Sequence, residues 1–518
     1  MRAPSRSAVA DLVLLAVSVA GLYGARLDHT PPHMHRDEAV FALQAVSIAE
    51  TGHDIDGRRL PLYFEMRLLQ EHVWFQPLLV YATAAVLKVL PASQSVFRLA
   101  AVAVGTIDVL LMYFVAGRLF RDRRWQVGAA LLLGLTPAHM LHSRLTMDFI
   151  YPLPFVLGWL LCLLVYLEKR RPWILFAGTS VLGVGFYSYI ASVVMMPACL
   201  ALTWMALFLA GIRSIRPYAV AAGGFAWPLV AIVAWLPSHT AMVLDTLARY
   251  HLDAGVFRPT AITDRVSTYW RFFDPAFLFM IGGYTRMTNS TRLVGVFLLP
   301  LIVLIPLGVV EVFTVRRTPI GWVVLFGFLL SPVAGAIAVP AEPYASDRAL
   351  PALVFGVLLA IFGLERLLAM SSRWAHVAAG VLLAMVPLHF AFFLVHYFGD
   401  YHRRAAYWFE WDHLGALHQV IAHAPGHDRP IWLSTGDDTM MEAYWRLAVA
   451  MEHRVDLLET TRYFDARHAE VSGLPPHALV LMNRNDTSLA ALVAAGQLHR
   501  VATIPEPGDE PYYFVVER

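Results

Sequence analysis

The sequence predicts an all-α polytopic membrane protein, with about eleven transmembrane helices and some juxtamembrane helices, that ends in an extracytoplasmic α/β domain. Three observations carry this. The 518 residues are 58% hydrophobic and 15% charged, with mean hydropathy +0.57, whereas soluble domains carry about 25% charged residues. Apolar runs long enough to cross a bilayer recur along the chain. Beyond about residue 400 the pattern turns polar and alternates short strand-like and helical segments.

A span needs roughly 20 apolar residues. Such runs fall near 9–27, 95–119, 126–143, 150–167, 172–189, 190–210, 217–236, 292–312, 319–339, 349–368 and 374–397. Arg2 and Arg6 precede the first, and no small-residue cleavage site follows cleanly, so it reads as an uncleaved span. The turn at Tyr187-Ser188-Tyr189 leaves one boundary soft. The segment 77–90 is short and carries Lys88, which fits an interfacial or re-entrant helix better than a span. Lys and Arg collect in cytoplasmic loops. If 77–90 does not cross, then Arg121-Asp122-Arg123-Arg124, Glu168-Lys169-Arg170-Arg171, Arg213-Ser214-Ile215-Arg216, Arg316-Arg317 and Arg373 all share the side of the N-terminus. The expected topology is therefore N-terminus in, C-terminus out. Residues 1–400 form a membrane domain with outer loops at 28–94 and 237–291, and residues 401–518 a soluble domain. In that domain Ile431–Ser434, Ala478–Met482 and Tyr512–Val516 read as strands, and Leu414–Ala424 and Thr439–Ala450 as helices.

Some classes fall away. The net charge is +2 and no basic stripe is interleaved with aromatics, so nucleic acid is not an expected partner. Cys162 and Cys199 lie in apolar stretches and read as buried thiols without a structural disulfide. No internal repeat is visible.

The topology collects four segments on the outer face. The first holds Pro32-His33-Met34-His35-Arg36-Asp37-Glu38-Ala39. An acidic pair beside a membrane is costly unless it is solvated or used. Apolar residues from Val40 to Ala49 predict a short amphipathic helix along the membrane surface. Asp37 is then either its N-cap or a functional carboxylate. His33, His35 and Asp37 share one face of an extended segment, which keeps a divalent cation open although the spacing is no standard zinc motif. The second segment is His142-Ser143-Arg144-Leu145-Thr146-Met147-Asp148. Arg144 and Asp148 either pair four residues apart or face the cavity, Asp148 towards the first acidic pair and Arg144 towards a phosphate. The third is Glu342-Pro343-Tyr344-Ala345-Ser346-Asp347-Arg348, where Arg348 either snorkels at a helix end or binds phosphate through its fork of donors. The fourth, the middle loop, carries Tyr269-Trp270-Arg271-Phe272-Phe273, an interfacial belt, and Asn289-Ser290-Thr291, a glycosylation triplet, as is Asn485-Asp486-Thr487.

In combination, these residues resemble the GT-C superfamily of membrane glycosyltransferases, closest to the protein O-mannosyltransferase-like branch (glycosyltransferase family 39-like) and the related bacterial lipid A and polysaccharide sugar transferases. The resemblance is carried by His33-Met34-His35-Arg36-Asp37-Glu38-Ala39, Ala42-Leu43-Gln44-Ala45, Thr51-Gly52-His53-Asp54, Gly57-Arg58-Arg59-Leu60-Pro61-Leu62, Phe75-Gln76-Pro77-Leu78 and Phe97-Arg98-Leu99. Ser143-Arg144 to Asp148, Asp274-Pro275-Ala276-Phe277-Leu278-Phe279 with Gly282-Gly283, and Asp347-Arg348-Ala349-Leu350-Pro351 add to it. It covers about residues 9–400. It implies a GT-C fold, a bacterial inner (plasma) membrane setting, a polyprenyl-phosphate-linked sugar donor and a hydroxyl acceptor on a lipid, polysaccharide or protein. It further implies Asp37 as base, with Glu38 and Asp148 as further acidic catalytic residues, and Arg348, Arg144 and Arg58 binding substrate. It fixes no cofactor, since some relatives hold a divalent cation and others do without, and a cation held by His33 and His35 stays open. The alternative is a polyprenyl-lipid flippase or an inactive scaffold. Transporters place charges near the midplane and often show repeats, whereas here most charges sit in loops.

Overall fold

The computed structural model describes the chain except residues 1–5, 69–70, 251, 253–257, 285, 339–343, 427–428, 436–439, 466–473 and 509. Glu342 and Pro343 of the late-loop motif therefore lie outside the described residues. The first part runs α1 (Arg6–Gly24), α2 (Arg36–Thr51), the hairpin β1 (Phe64–Leu68) and β2 (Glu71–Phe75), α3 (Pro77–Leu87), α4 (Gln94–Leu119), α5 (Arg123–Gly134), α6 (Pro137–His142), α7 (Pro152–Lys169) and α8 (Pro172–Gly185). It continues with α9 (Ser192–Leu209), α10 (Ile215–Trp235), α11 (Thr240–Arg249), α12 (Pro259–Arg271), α13 (Leu301–Thr314), α14 (Pro319–Leu330), α15 (Val333–Ala338), α16 (Pro351–Ala369) and α17 (Arg373–Phe398).

Eight helical segments among the described residues are long and apolar enough to cross a membrane: α1, α4, α7 with its lead-in from Asp148, α9, α10, α14 with α15, α16 and α17. This is an integral membrane protein. The count is lower than eleven for local reasons. Segment 126–143 is broken between α5 and α6, because Pro137 has no N–H to continue the ladder. Segment 292–312 becomes helical only at Leu301, just after Pro300. α8 and α13 are apolar but only 14 residues each, about 21 Å at 1.5 Å per residue. α3, at 11 residues, reaches about 16 Å, half of a hydrocarbon core of about 30 Å. α13 and α16 lie backbone to backbone: a Cβ on Gly308 would meet Leu359 O at 1.9 Å, and one on Gly363 would meet Leu304 O at 2.0 Å. Small residues permit this approach, which dispersion then rewards.

The last part contains α18 (Tyr401–Ala405), α19 (His413–Ala422), β3 (Ile431–Ser434), α20 (Met441–Met451), α21 (Leu457–Thr460), β4 (Thr461–Phe464), β5 (Leu479–Asn483), α22 (Thr487–Ala494), β6 (His499–Thr503) and β7 (Tyr513–Glu517). Its sheet has the order β4-β3-β5-β7-β6, with β3 parallel to β4 and β5, and β7 antiparallel to β5 and β6. The strands at 431–434, 479–483 and 513–517 fall where the alternation places them.

One element differs in setting. α2 does not expose one face of an amphipathic helix: residues 38–46, Ile48 and Ala49 are all buried within the protein. It packs against α3 on one side and α20 on the other. An amphipathic pattern marks one buried face, and here α20 covers the second.

Candidate active site

The site starts at the entry to α2. His35, not Asp37, is the N-cap: its Nδ1 accepts the Asp37 N–H at 3.2 Å, and Glu38 Oε2 accepts the His35 N–H at 3.1 Å, a reciprocal capping box. Asp37 is thereby freed from capping. It sits in the first turn, where the helix dipole favours an anion, with its side chain 44% exposed. Glu38 goes the other way. It is fully buried and paired with the fully buried Arg98, Nη2 to Oε2 3.0 Å and Nε to Oε1 3.1 Å. It also accepts the Thr146 N–H at 2.7 Å. Glu38 does not line the cavity; it locks the first loop to α4 and to the 143–148 turn.

Arg144 is likewise turned inward. It is fully buried and donates to the carbonyls of Leu22, Tyr23, Ala25 and Thr30 and to Tyr397 Oη. The expected phosphate role does not fit, since backbone oxygens at the end of α1 take its donors. Nor does Arg144 pair with Asp148. Arg58 is held within its own loop by Asp54 (2.7 Å), Asp56 (2.9 Å) and Glu65 (3.1 Å). It touches the cavity only indirectly, stacked over Trp74 at 5.5 Å.

A polar cavity of about 450 Å³ remains, and segments from all four loops meet in it. The first loop contributes His35 and Asp37, and the 143–148 turn contributes Asp148. The middle loop adds Arg249, Tyr250, Arg286 and Asn289, and the late loop adds Asp347 and Arg348. Asp148 is 5% exposed. Asp37 and Asp347 lie within electrostatic reach of its charge and repel it, and Arg348 offsets them. Asp347 accepts from Tyr189 Oη at 3.2 Å and from Asn289 Nδ2 at 3.0 Å. The glycosylation reading of Asn289 gives way to this role, because its amide faces a buried carboxylate. Burial, with Asp347 beside it, pushes the Tyr189 phenol well above its ordinary pKa, so it stays a neutral donor.

Against this cavity lies an apolar one of about 300 Å³, walled by α9, α10, α11 and α15. The two share Trp74, Gln76, Ile190, Tyr250, Ala338 and Arg348. Arg348 therefore stands at the junction of a polar and an apolar chamber. Its Nε has no hydrogen-bond acceptor, and its guanidinium stacks over Tyr250 at 5.5 Å. Burial alone would weaken its charge, and the neighbouring Asp347 carboxylate, 3.9 Å from Nε, works against that.

The histidines do not fit a metal. His33 Nε2 meets Glu506 Oε2 at 3.0 Å, and His35 Nδ1 caps α2, so the two rings serve different protein partners. Among the described residues no group of three or more His, Cys, Asp or Glu is arranged to hold a metal ion. Sequence reading missed Tyr189, Arg249, Tyr250, Arg286 and Asp347 as site residues. Only Asp347 carried a usable signal, its place beside Arg348.

The crystal structure of ArnT from Cupriavidus metallidurans bound to undecaprenyl phosphate matches 99% of this chain and 98% of its own, with TM-score 0.60 at 14% identity. The chain has the GT-C fold. The apo state of the same ArnT aligns with TM-score 0.55 over the same shares of both chains, also at 14% identity. The archaeal oligosaccharyltransferase AglB from Archaeoglobus fulgidus, in complex with an inhibitory peptide and a dolichol-phosphate, aligns over 85% of this chain and 63% of its own, with TM-score 0.49 at 13% identity. Residues 76–236 match the family model of dolichyl-phosphate-mannose-protein mannosyltransferases. No curated protein sequence matches the chain.

Proposed function

We propose that this chain is a glycosyltransferase that moves a sugar from a polyprenyl-phosphate donor to a hydroxyl acceptor, with Asp37 as the base. The observation that carries the reading is the pair of joined chambers. An amphipathic lipid phosphate needs an apolar groove for its chain and a cation where chain meets head group. Arg348 occupies that junction. The carboxylates of Asp37 and Asp148 stand in the polar chamber beyond it. The ArnT structure with this fold is described as bound to undecaprenyl phosphate, which supports a lipid phosphate as the ligand class.

In the proposed step, the Asp37 carboxylate takes the acceptor hydroxyl proton. The oxygen attacks the anomeric carbon as the bond from that carbon to the phosphate oxygen breaks, and the polyprenyl phosphate leaves with both bonding electrons. Arg348 stabilises the charge that grows on it. One displacement inverts the anomeric centre, and the step needs no protein nucleophile. In this reading Glu38, Arg144 and Arg58, whose charged groups are taken by protein partners, act as support behind the reacting atoms. Asp148 and Asp347 remain as buried carboxylates that orient sugar hydroxyls.

The test compares purified wild type with Asp37→Asn on a panel of labelled polyprenyl-phosphate sugars, with an acceptor extract. Turnover that vanishes in the variant supports the reading and names the donor. Full activity in Asp37→Asn removes Asp37 from the base role.

A further inference from the structure

Four consecutive residues just ahead of Asp37 are each held by the C-terminal part of the chain. His33 Nε2 donates to Glu506 Oε2 at 3.0 Å, and its Nδ1 lies 3.8 Å from Asp412 Oδ1. The Met34 carbonyl accepts from Tyr444 Oη at 2.8 Å. The His35 ring stands edge-on to Phe409, centroids 6.3 Å apart. Arg36 Nε lies 2.9 Å from Glu410 Oε1 in an ion pair. Phe409 and His35 both line the polar cavity, next to Asp37.

The holding side is built for rigidity. Glu506 has a fully buried side chain. One of its carboxylate oxygens takes His33, and the other accepts the Asp412 N–H at 3.0 Å. A single carboxylate thus ties the first loop to the turn that carries Phe409, Glu410 and Asp412. That turn is strained: Glu410 and Trp411 are consecutive non-glycine residues with φ of 63° and 64°. Such conformations persist only where their surroundings over-determine them, and they cluster at functional positions. The same turn sets Phe409, Glu410 and Asp412 against residues 33–36.

We propose that the C-terminal domain is a positioning element for Asp37, with Glu506, Glu410 and Phe409 as the positioning residues that fix the start of α2. The proposal rests on the reading of Asp37 as base. It assigns the tail a mechanical part in the reaction without requiring it to touch acceptor. The His35 cap orients the first turn of α2 only if His35 itself is fixed, and its fixed neighbours on both sides belong to the tail's grip. A misplacement of about 1 Å at a reacting group costs about a hundredfold in rate.

The test uses the full-length protein in lipid nanodiscs, with two readouts. Amide hydrogen exchange at residues 35–39 reports the grip without any ligand. Turnover of the donor that wild type accepts reports its consequence. In Glu506→Ala, exchange at 35–39 is expected to rise about tenfold, with α4 and α16 unchanged. kcat falls about tenfold to a hundredfold, while donor KM stays within about twofold. Charge exchange guards against simple misfolding: Glu410→Arg lowers kcat, and Glu410→Arg with Arg36→Glu restores most of it. Unchanged exchange at 35–39 in Glu506→Ala overturns the grip. Raised exchange with unchanged kcat overturns its role in the reaction. Exchange that rises equally in α4 and α16, with no rescue by the charge exchange, shows a merely structural contact and also overturns it. If Asp37→Asn keeps full activity, the base assignment fails separately, and the exchange data still decide the grip.

Discussion

Glu38 was expected among the catalytic carboxylates, and its surroundings make a sharper prediction. Take Glu38→Ala. The carboxylate removed sits 3.0 Å from Arg98, and neither side chain is exposed. A unit charge pair at that distance, in an effective dielectric near 20, interacts by about 5.5 kcal/mol. Breaking such a pair by removing one partner leaves a buried cation uncompensated and costs about 3–5 kcal/mol. The deletion also orphans the N–H groups of His35 and Thr146, both of which Glu38 accepts. Unlike a catalytic loss, this should appear as instability. Detergent-solubilised variant and wild type would be heated in steps, and the surviving monodisperse fraction read by size-exclusion chromatography. Glu38→Ala should lose its folded peak well below wild type. Glu38→Ala with Arg98→Met should recover only part of the loss, because Arg98 also holds the carbonyls of Leu27, Pro31 and His33. A Glu38→Ala protein as heat-resistant as wild type but without turnover would refute the reasoning and return Glu38 to the chemistry.

Two further predictions concern the chambers. Arg348→Ala should raise donor KM and lower kcat, together reducing kcat/KM by about a hundredfold or more. Arg348→Lys should recover only part, since an ammonium lacks the guanidinium's flat fork; steady-state kinetics across donor concentrations check this, and full recovery by Lys would argue against a forked contact with phosphate. Val194→Trp places an indole in the apolar chamber, which Val194 lines. It should weaken a long-chain donor by about tenfold, near 1.4 kcal/mol, while sparing a short-chain analogue, as read from competition between the two. Equal loss for both would place the lipid chain elsewhere.

The sequence alone determined the membrane class, most of the spans, the strands of the tail and the four loop segments that meet in the cavity, because each of these is a local pattern. Apolar runs answer to bilayer thickness, alternation answers to the pleat of a strand, and clustered Lys and Arg mark loops. It also marked Asp37, Asp148 and Arg348, which line the cavity. What the sequence could not decide is which charged side chain faces in and which is consumed by the fold. Arg144 and Arg348 look equally suited to phosphate, yet Arg144 is taken by carbonyls at the end of α1, more than a hundred residues away. Asp37 and Glu38 are adjacent, and the rotation of about 100° between successive helical residues sends one to the cavity and the other to Arg98. His35 holds the N-cap, and the two residues before it, His33 and Met34, bond to the tail more than four hundred residues downstream. Hydrogen-bond partners so distant in sequence leave no periodic trace, and only the packed tertiary structure assigns them.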